Sequence, residues 1–285
     1  MDPKQDPQQA FDSVTQFYRN HPINEEQILG ALKAQGIDLS RVTENDLKAF
    51  DQDHYGGIPA LESLMREAGI NNRHHVLDVC SGMGGPARYL AHAIGCHVTG
   101  IDLTESRCAG AARLTSLVKL DHLVDFRHGN ALEMPFADAS FDVVIAQEAW
   151  AHIPDKPRLV AQVARVVKAQ GVVAFTDIMR AAPLAPETAR RLFEGMTFTE
   201  IESVEGYAAL LEANGCTIER CTDLGAQWTG ILQQRHAMYR SLRASTVAKF
   251  GEEGYRKYDD AYAFFVSLYQ QGVLGGARFI ARKRK

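Results

Sequence analysis

Between residues 75 and 178 the sequence alternates short apolar runs with amphipathic stretches, and this alternation constrains the chain more than any other feature. Apolar runs of five or six residues suit strands buried on both faces, and the stretches between them suit crossover helices. The pattern therefore dictates βαβ units and a parallel sheet. The runs are His75-Val76-Leu77-Asp78-Val79-Cys80, His97-Val98-Thr99-Gly100-Ile101-Asp102, Leu123 to Arg127, Phe141-Asp142-Val143-Val144-Ile145-Ala146 and Gly171 to Thr176. Helices are expected over Ala87 to Ala93 and Pro157 to Lys168, and Thr104 stands where it can cap the helix after the second strand.

The flanks read differently. Phe11, Val14 and Phe17-Tyr18 lie at helical spacing, and Glu25 to Ala34 forms a second candidate helix. Asp53-His54-Tyr55-Gly56-Gly57-Ile58-Pro59 then breaks the pattern before Leu61, Leu64 and Met65 resume it. Beyond the core come a helix over Val204 to Asn214, a strand over Thr217 to Cys221, long helices over Trp228 to Phe250 and Tyr255 to Gln271, and a closing strand over Gly276 to Ala281. The chain thus divides into a helical N-terminal cap (1–58), a nucleoside-binding α/β core (59–180) and a segment of cap helices and final strands completing the sheet (181–285). The cap helices either close over a site, complete the core or form an interface such as that of a homodimer.

Charge and cysteine usage exclude several classes of function. A formal net charge of −4 and a pI near 6.2 leave no broad basic face for phosphate backbones, so nucleic acid is not an expected partner. The basic run Arg282-Lys283-Arg284-Lys285 reads as a solvated chain end. Met1 to Gln9 is polar, with Pro3 and Pro7, and no stretch approaches the ~18 apolar residues of a membrane span. No membrane partner and a cytoplasmic address are the expectation. Five cysteines, Cys80, Cys96, Cys108, Cys216 and Cys221, lack CxxC spacing and suit reduced, mostly buried thiols, with no metal site expected.

Asp78-Val79-Cys80-Ser81-Gly82-Met83-Gly84-Gly85 joins the first strand to a helix, and a turn without side chains there lets a ligand approach backbone N–H groups at the helix start. Gly82, Gly84 and Gly85 are the contact candidates, with Ser81 beside them. Asp102 ends the second strand, 18 residues after Gly84, where a carboxylate can accept from both hydroxyls of a ribose. It could instead cap the following helix. The turn lacks the third, helix-embedded glycine of GxGxxG and follows Asp78, an acid placed to meet an ammonium group; a dinucleotide fits this less well than S-adenosylmethionine.

Gly82-x-Gly84-Gly85-Pro86, Asp102, Gly129-Asn130-Ala131-Leu132-Glu133-Met134-Pro135-Phe136 and Ser140-Phe141-Asp142-Val143-Val144-Ile145 together resemble the motif series of class I S-adenosylmethionine-dependent methyltransferases over roughly residues 54 to 180. Gly84-Gly85-Pro86-Ala87-Arg88-Tyr89-Leu90, the stretch Gln147 to Lys156 and the tail Gln271-Gly272-Val273-Leu274-Gly275-Gly276 are similar to the sarcosine/dimethylglycine N-methyltransferase-like small-molecule enzymes. The chain departs from that group at Glu148 and Pro154, where Asp and Ser are common. The resemblance implies a Rossmann-like sheet with helices on both faces, plus helical cap segments at both ends. It also implies S-adenosyl-L-methionine as cofactor: the glycine turn and Asp78 hold the methionine part, Asp102 and Leu103 the ribose side, Asn130 and Ala131 the adenine edge, and Gln147 lies beneath. Asn130 also fits a turn after Gly129.

Methyl transfer from a sulfonium is an in-line displacement, so the protein's main task is to hold the nucleophile near the methyl carbon in a dry pocket. The expected reaction is methylation of a small molecule, first an amine nitrogen of an amino acid or related metabolite, alternatively carbon, oxygen or sulfur in a natural-product route. An NAD(P)-dependent oxidoreductase shares the glycine turn and Asp102 and is the remote alternative. His152 is the candidate base, beside Glu148, or a structural histidine. Tyr18, Tyr55 and Trp150 are candidate aromatic surfaces for the substrate, Tyr55 and Trp150 being alternatively core aromatics, and Arg180 is a candidate fork for a substrate carboxylate, or a surface ion pair.

Overall fold

Central strands buried on both faces need apolar side chains at every position, and the five apolar runs all pair into one sheet. The structure is a computed structural model that describes residues 7–19, 21 and 23–285. The polar start, Met1 to Asp6, lies outside the described residues. In chain order the elements are α1 (Pro7–Arg19), α2 (Glu25–Ala34), α3 (Glu44–Leu47), α4 (Gly57–Glu67), β1 (His75–Val79), α5 (Gly85–Ile94), β2 (His97–Asp102), α6 (Glu105–Leu117), β3 (Val124–His128) and β4 (Phe141–Gln147). A 3₁₀ turn (Trp150–His152) leads to α7 (Lys156–Val166), β5 (Val167–Arg180), α8 (Pro186–Met196), α9 (Val204–Ala213), β6 (Cys216–Asp223), α10 (Gly225–Ser241), α11 (Arg243–Gln270) and β7 (Leu274–Lys283).

The described strands form a seven-stranded sheet of order β3-β2-β1-β4-β5-β7-β6. β1 to β5 are parallel, and β7 pairs antiparallel with both β5 and β6. Alternation along each strand sorts the side chains. Leu77, Val79, Val144 and Phe175 face α7 and α9 on one side, while Val76, Val98, Val143 and Ala174 face α4 and α5 on the other. The Rossmann-like fold, with helices on both faces, is as the sequence implies.

Two local expectations need correction. β5 begins at Val167, where the helix was expected to run to Lys168; the β-branched pair Val166-Val167 gives up helix, and the pairing jumps from Phe141↔Val167 to Val143↔Val172 around Gln170, which sits at φ 64°. α10 ends and α11 starts well before Phe250, and α11 itself kinks at Gly251 (φ 77°, ψ 165°). Leu192, Met196, Phe198, Trp228, Leu232 and Phe265 give α8, α10 and α11 a separate apolar cluster above the carboxyl ends of the strands. A further cluster of Ile28, Leu32, Val42 and Leu47 holds the N-terminal helices together and meets Met83 and Leu114 of the core. No helix of the described residues is long and apolar enough to cross a membrane, and the five cysteines are free, Cys221 being exposed.

Candidate cofactor and acceptor site

Strand order reverses between β1 and β4, and an open α/β sheet leaves a crevice at the carboxyl ends of such strands. Two residues without glycine's freedom adopt left-handed backbone there: Cys80 after β1 (φ 65°) and Glu148 after β4 (φ 49°). Such conformations cost of order 1–3 kcal/mol each and gather at functional sites. The glycine turn and the second acid meet across this crevice. The Gly82 N–H donates to Asp102 Oδ2 at 2.9 Å, and the Thr104 N–H to Asp102 Oδ1 at 2.8 Å. Thr104 stands at the helix N-cap without using its hydroxyl as a cap; the Asp102 carboxylate serves the N–H groups there instead.

The three glycines do different work. Gly82 (φ 55°) lines the cavity, and a Cβ on it would lie 2.8 Å from the Arg107 guanidinium. Gly84 (φ 76°) and Gly85 are not among the residues that line it. A Cβ on Gly84 would come 2.4 Å from Phe126 Cζ, and one on Gly85 2.4 Å from the Asp51 carbonyl oxygen. Their missing side chains admit neighbouring protein atoms to the start of α5.

The cavity holds about 230 Å³ and is lined, at its core end, by Asp78, Ser81, Gly82, Asp102, Leu103, Asn130, Ala131 and Gln147. Asp78 Oδ2, Ser81 Oγ and Gln147 Oε1 are buried with no hydrogen-bond partner among the described residues. An unmade hydrogen bond on a buried polar group costs about 1–3 kcal/mol, so three around one crevice mark a place for a polar ligand. Burial, helped by the nearby Asp102 charge, pushes the Asp78 carboxyl up to about 7. An incoming ammonium would supply the counter-charge that this carboxyl lacks. Asn130 also closes a turn, its Oδ1 accepting from the Leu132 N–H at 2.9 Å.

A roof of α1, the loop around Asp53, and α10 and α11 covers the other end. The Tyr18 hydroxyl lies 2.9 Å from His152 Nε2, while His152 Nδ1 faces the Thr197 carbonyl (3.2 Å) and hydroxyl oxygen (3.1 Å). The Thr197 hydroxyl donates to the Met196 carbonyl, so both Thr197 oxygens act as acceptors toward His152. The proton of the imidazole therefore sits on Nδ1, and Nε2 accepts from Tyr18. Burial lowers the His152 pKa to about 4 and raises that of Tyr18 well above its ordinary value, so both are neutral at pH 7. Glu148 accepts from the Tyr55 N–H and the Thr176 hydroxyl, each at 2.5 Å, and burial raises its carboxyl to about 8. It ties the Tyr55 loop to the ends of β4 and β5.

Two residues assigned to the substrate from sequence stand elsewhere. Trp150 is buried and stacks on Phe175 with centroids 4.2 Å apart, within the core. Arg180 donates to Glu202 Oε1 at 2.7 Å and to the Ile201 carbonyl at 2.9 Å, away from the cavity, so its guanidinium serves a protein ion pair. Tyr18 and Tyr55 do line the cavity. The sequence reading missed Arg107, whose guanidinium lies over the Tyr18 ring (5.0 Å), donates to the Ile23 carbonyl and stands 3.6 Å from Asp53. It also missed Arg235, Tyr258 and Tyr262. The tyrosines' helical spacing was visible, but nothing local showed which way α11 turns.

Residues 77–175 match the methyltransferase-domain family. The glycine/sarcosine/dimethylglycine N-methyltransferase of Actinopolyspora halophila is 36% identical over 132 residues, 45% of this chain and 22% of that protein. The methyltransferase GfsG of Streptomyces halstedii is 31% identical over 186 residues, 64% of this chain and 66% of that protein. The chain thus spans 22% and 66% of these two relatives' lengths. The solved phosphoethanolamine N-methyltransferase 2 of Haemonchus contortus, in complex with S-adenosyl-L-methionine, superposes with a TM-score of 0.74 at 19% identity, covering 95% of this chain and 60% of that one. The sheet order, the acid-lined crevice and these likenesses agree: residues 77–175 form a methyltransferase domain of the class I type, which takes S-adenosylmethionine as cofactor.

Proposed function

We propose that the chain transfers a methyl group from S-adenosylmethionine to a small molecule held under the roof of α1, α10 and α11. The first-choice acceptor is an amine nitrogen of an amino acid or related metabolite. Transfer to carbon, oxygen or sulfur is the alternative, and similar chains include O- as well as N-methyltransferases. The observation that carries the reading is a trio of buried atoms without hydrogen-bond partners among the described residues, Asp78 Oδ2, Ser81 Oγ and Gln147 Oε1, on residues that line one crevice with Asp102.

When bound, the cofactor supplies an electrophilic methyl group on a sulfonium. The chain's own residues do the rest. Asp78 would hold the ammonium group, Asp102 with Leu103 the ribose side, and Asn130 and Ala131 the adenine edge. Met196, Phe198 and Phe265 line the same cavity, and apolar walls of this kind favour a reaction that disperses charge. The His152 Nε2 lone pair accepts from the Tyr18 hydroxyl, so a proton leaving the acceptor has a route through Tyr18 to His152. An amine arriving neutral needs no such step before attack. Glu148, with both oxygens engaged by the protein, acts as a positioning residue for Tyr55.

The test is calorimetry with S-adenosylhomocysteine followed by transfer of labelled methyl to a panel of amines, phenols and thiols. Binding of the nucleoside with transfer to an amine supports the first choice. Transfer confined to phenols or thiols replaces it with the alternative, and tight nicotinamide binding without S-adenosylhomocysteine binding removes the reading.

A further inference from the structure

Among the cations that line the cavity, ion pairing singles out one residue. Arg107 faces the Asp53 carboxylate at 3.6 Å, and burial keeps His54 and His152 neutral, each lowered to about 4. Arg235, from α10, lines the same cavity, and among the described residues its polar partners are backbone carbonyls. Its guanidinium donates to the His54 carbonyl at 2.8 Å and to the Asp53 carbonyl at 3.2 and 3.3 Å, and lies 4.9 Å from the centre of the Tyr55 ring. Carbonyls and a ring face orient a guanidinium without neutralising it, and the cavity carboxyl its charge acts on, Glu148, is raised by burial to about 8. Arg235 is half-buried, and a cation partly withdrawn from water without an ion-pair partner gains when a ligand brings the anion.

The surroundings extend this donor set. Tyr258 and Tyr262, one turn apart on α11, line the cavity beside Arg235, and its positive charge acts on both hydroxyls against the effect of burial. A planar guanidinium with phenolic O–H donors beside it has the chemistry of an oxyanion seat. This is the role the sequence had assigned to Arg180, whose guanidinium is taken by Glu202.

We propose that Arg235, with the hydroxyls of Tyr258 and Tyr262, seats an oxyanion carried by the methyl acceptor, a carboxylate or a phosphate. The inference rests on the methyltransferase reading above. It deepens that reading by requiring an acceptor with an anionic handle on the side of the cavity built by α10 and α11.

The experiment uses the full chain saturated with S-adenosylhomocysteine. Acetate, benzoate and inorganic phosphate are titrated against the uncharged acetamide and benzamide by calorimetry, in the wild type, Arg235→Gln, Arg235→Lys and the Tyr258→Phe/Tyr262→Phe double variant. The expected result is that at least one oxyanion binds about tenfold or more tightly than the uncharged amides. Arg235→Gln should abolish that preference, Arg235→Lys should keep part of it, and S-adenosylhomocysteine affinity should stay within about twofold. Whether acetate and benzoate or phosphate carries the preference distinguishes the two sources. Equal binding of charged and uncharged probes by the wild type overturns the proposal without recourse to any variant. So does a preference that survives in Arg235→Gln, or a matching loss of S-adenosylhomocysteine affinity, which would place the guanidinium on the cofactor. Failure of the wild type to bind S-adenosylhomocysteine is read separately, as failure of the underlying methyltransferase reading.

Discussion

Replacing Asp78 by asparagine should separate stability from binding, because the structure holds this carboxyl in a state that suits the ligand better than the empty fold. Burial and the Asp102 charge raise its pKa from 3.8 to about 7. At about 1.4 kcal/mol per tenfold in proton affinity, that rise corresponds to up to about 4 kcal/mol. The sign follows from linkage: the unfolded chain releases this proton near pH 4, and the folded chain keeps it until about 7. Stability is therefore lost as pH rises from about 4 to 7 and stays lost above. An amide has no proton to lose in this range, so the Asp78→Asn variant should melt at a higher temperature than the wild type at pH 8, and the gap should close toward pH 4. Binding should move the other way. An ammonium partner favours the ionised carboxylate, so wild-type affinity for S-adenosylhomocysteine should rise with pH up to about 7 and then level off. Asp78→Asn should bind about 10- to 100-fold more weakly at pH 8, the worth of a charge-assisted hydrogen bond of about 1.5–3 kcal/mol, and should lack that rise. Calorimetry across pH 5.5 to 8.5, with differential scanning on the same samples, reads both effects. Equal affinity in the two proteins at pH 8 would refute the reasoning.

Asp102→Ala should weaken S-adenosylhomocysteine binding by ~1–3 kcal/mol, because the carboxylate both faces the ligand and fixes the Gly82 and Thr104 N–H groups; unchanged affinity in the titration would discard that role. Gly84→Ala should cost roughly 1–3 kcal/mol of stability, since its Cβ would meet the Phe126 ring at 2.4 Å in a left-handed backbone, and a denaturant melt checks it. His152→Ala should slow transfer about 10²-fold to acceptors that must lose a proton, and little for a neutral amine. With its pKa near 4, His152 itself should impose no pH dependence on the wild-type rate between pH 6 and 9, which a rate profile would test. Arg180→Ala should leave acceptor KM unchanged in steady-state assays while lowering the melting temperature, because its partner is Glu202.

Local periodicity was enough to specify the sheet. Val76 to Val79, Val98 to Ile101 and Val143 to Ala146 have no amphipathic alternative, and strands buried on both faces follow from that composition alone. The acids at Asp78 and Asp102 were legible for the same reason: each is a charge set in an apolar strand, at the end where parallel strands leave a crevice. The glycine turn was legible as a turn, but which glycine admits a ligand and which admits Phe126 or the Asp51 carbonyl depends on neighbours distant in sequence. The roof was less legible still. Tyr18 meets His152 across 134 positions, and Arg235 meets the Asp53 and His54 carbonyls across 182 and 181. Arg180 and Arg235 look alike in sequence; one found Glu202 and the other no carboxylate among the described residues, and only the packing of α10 and α11 over the sheet decided between them. A strand's burial is written in its own side chains, whereas a charge's partner is chosen by where the rest of the chain comes to lie.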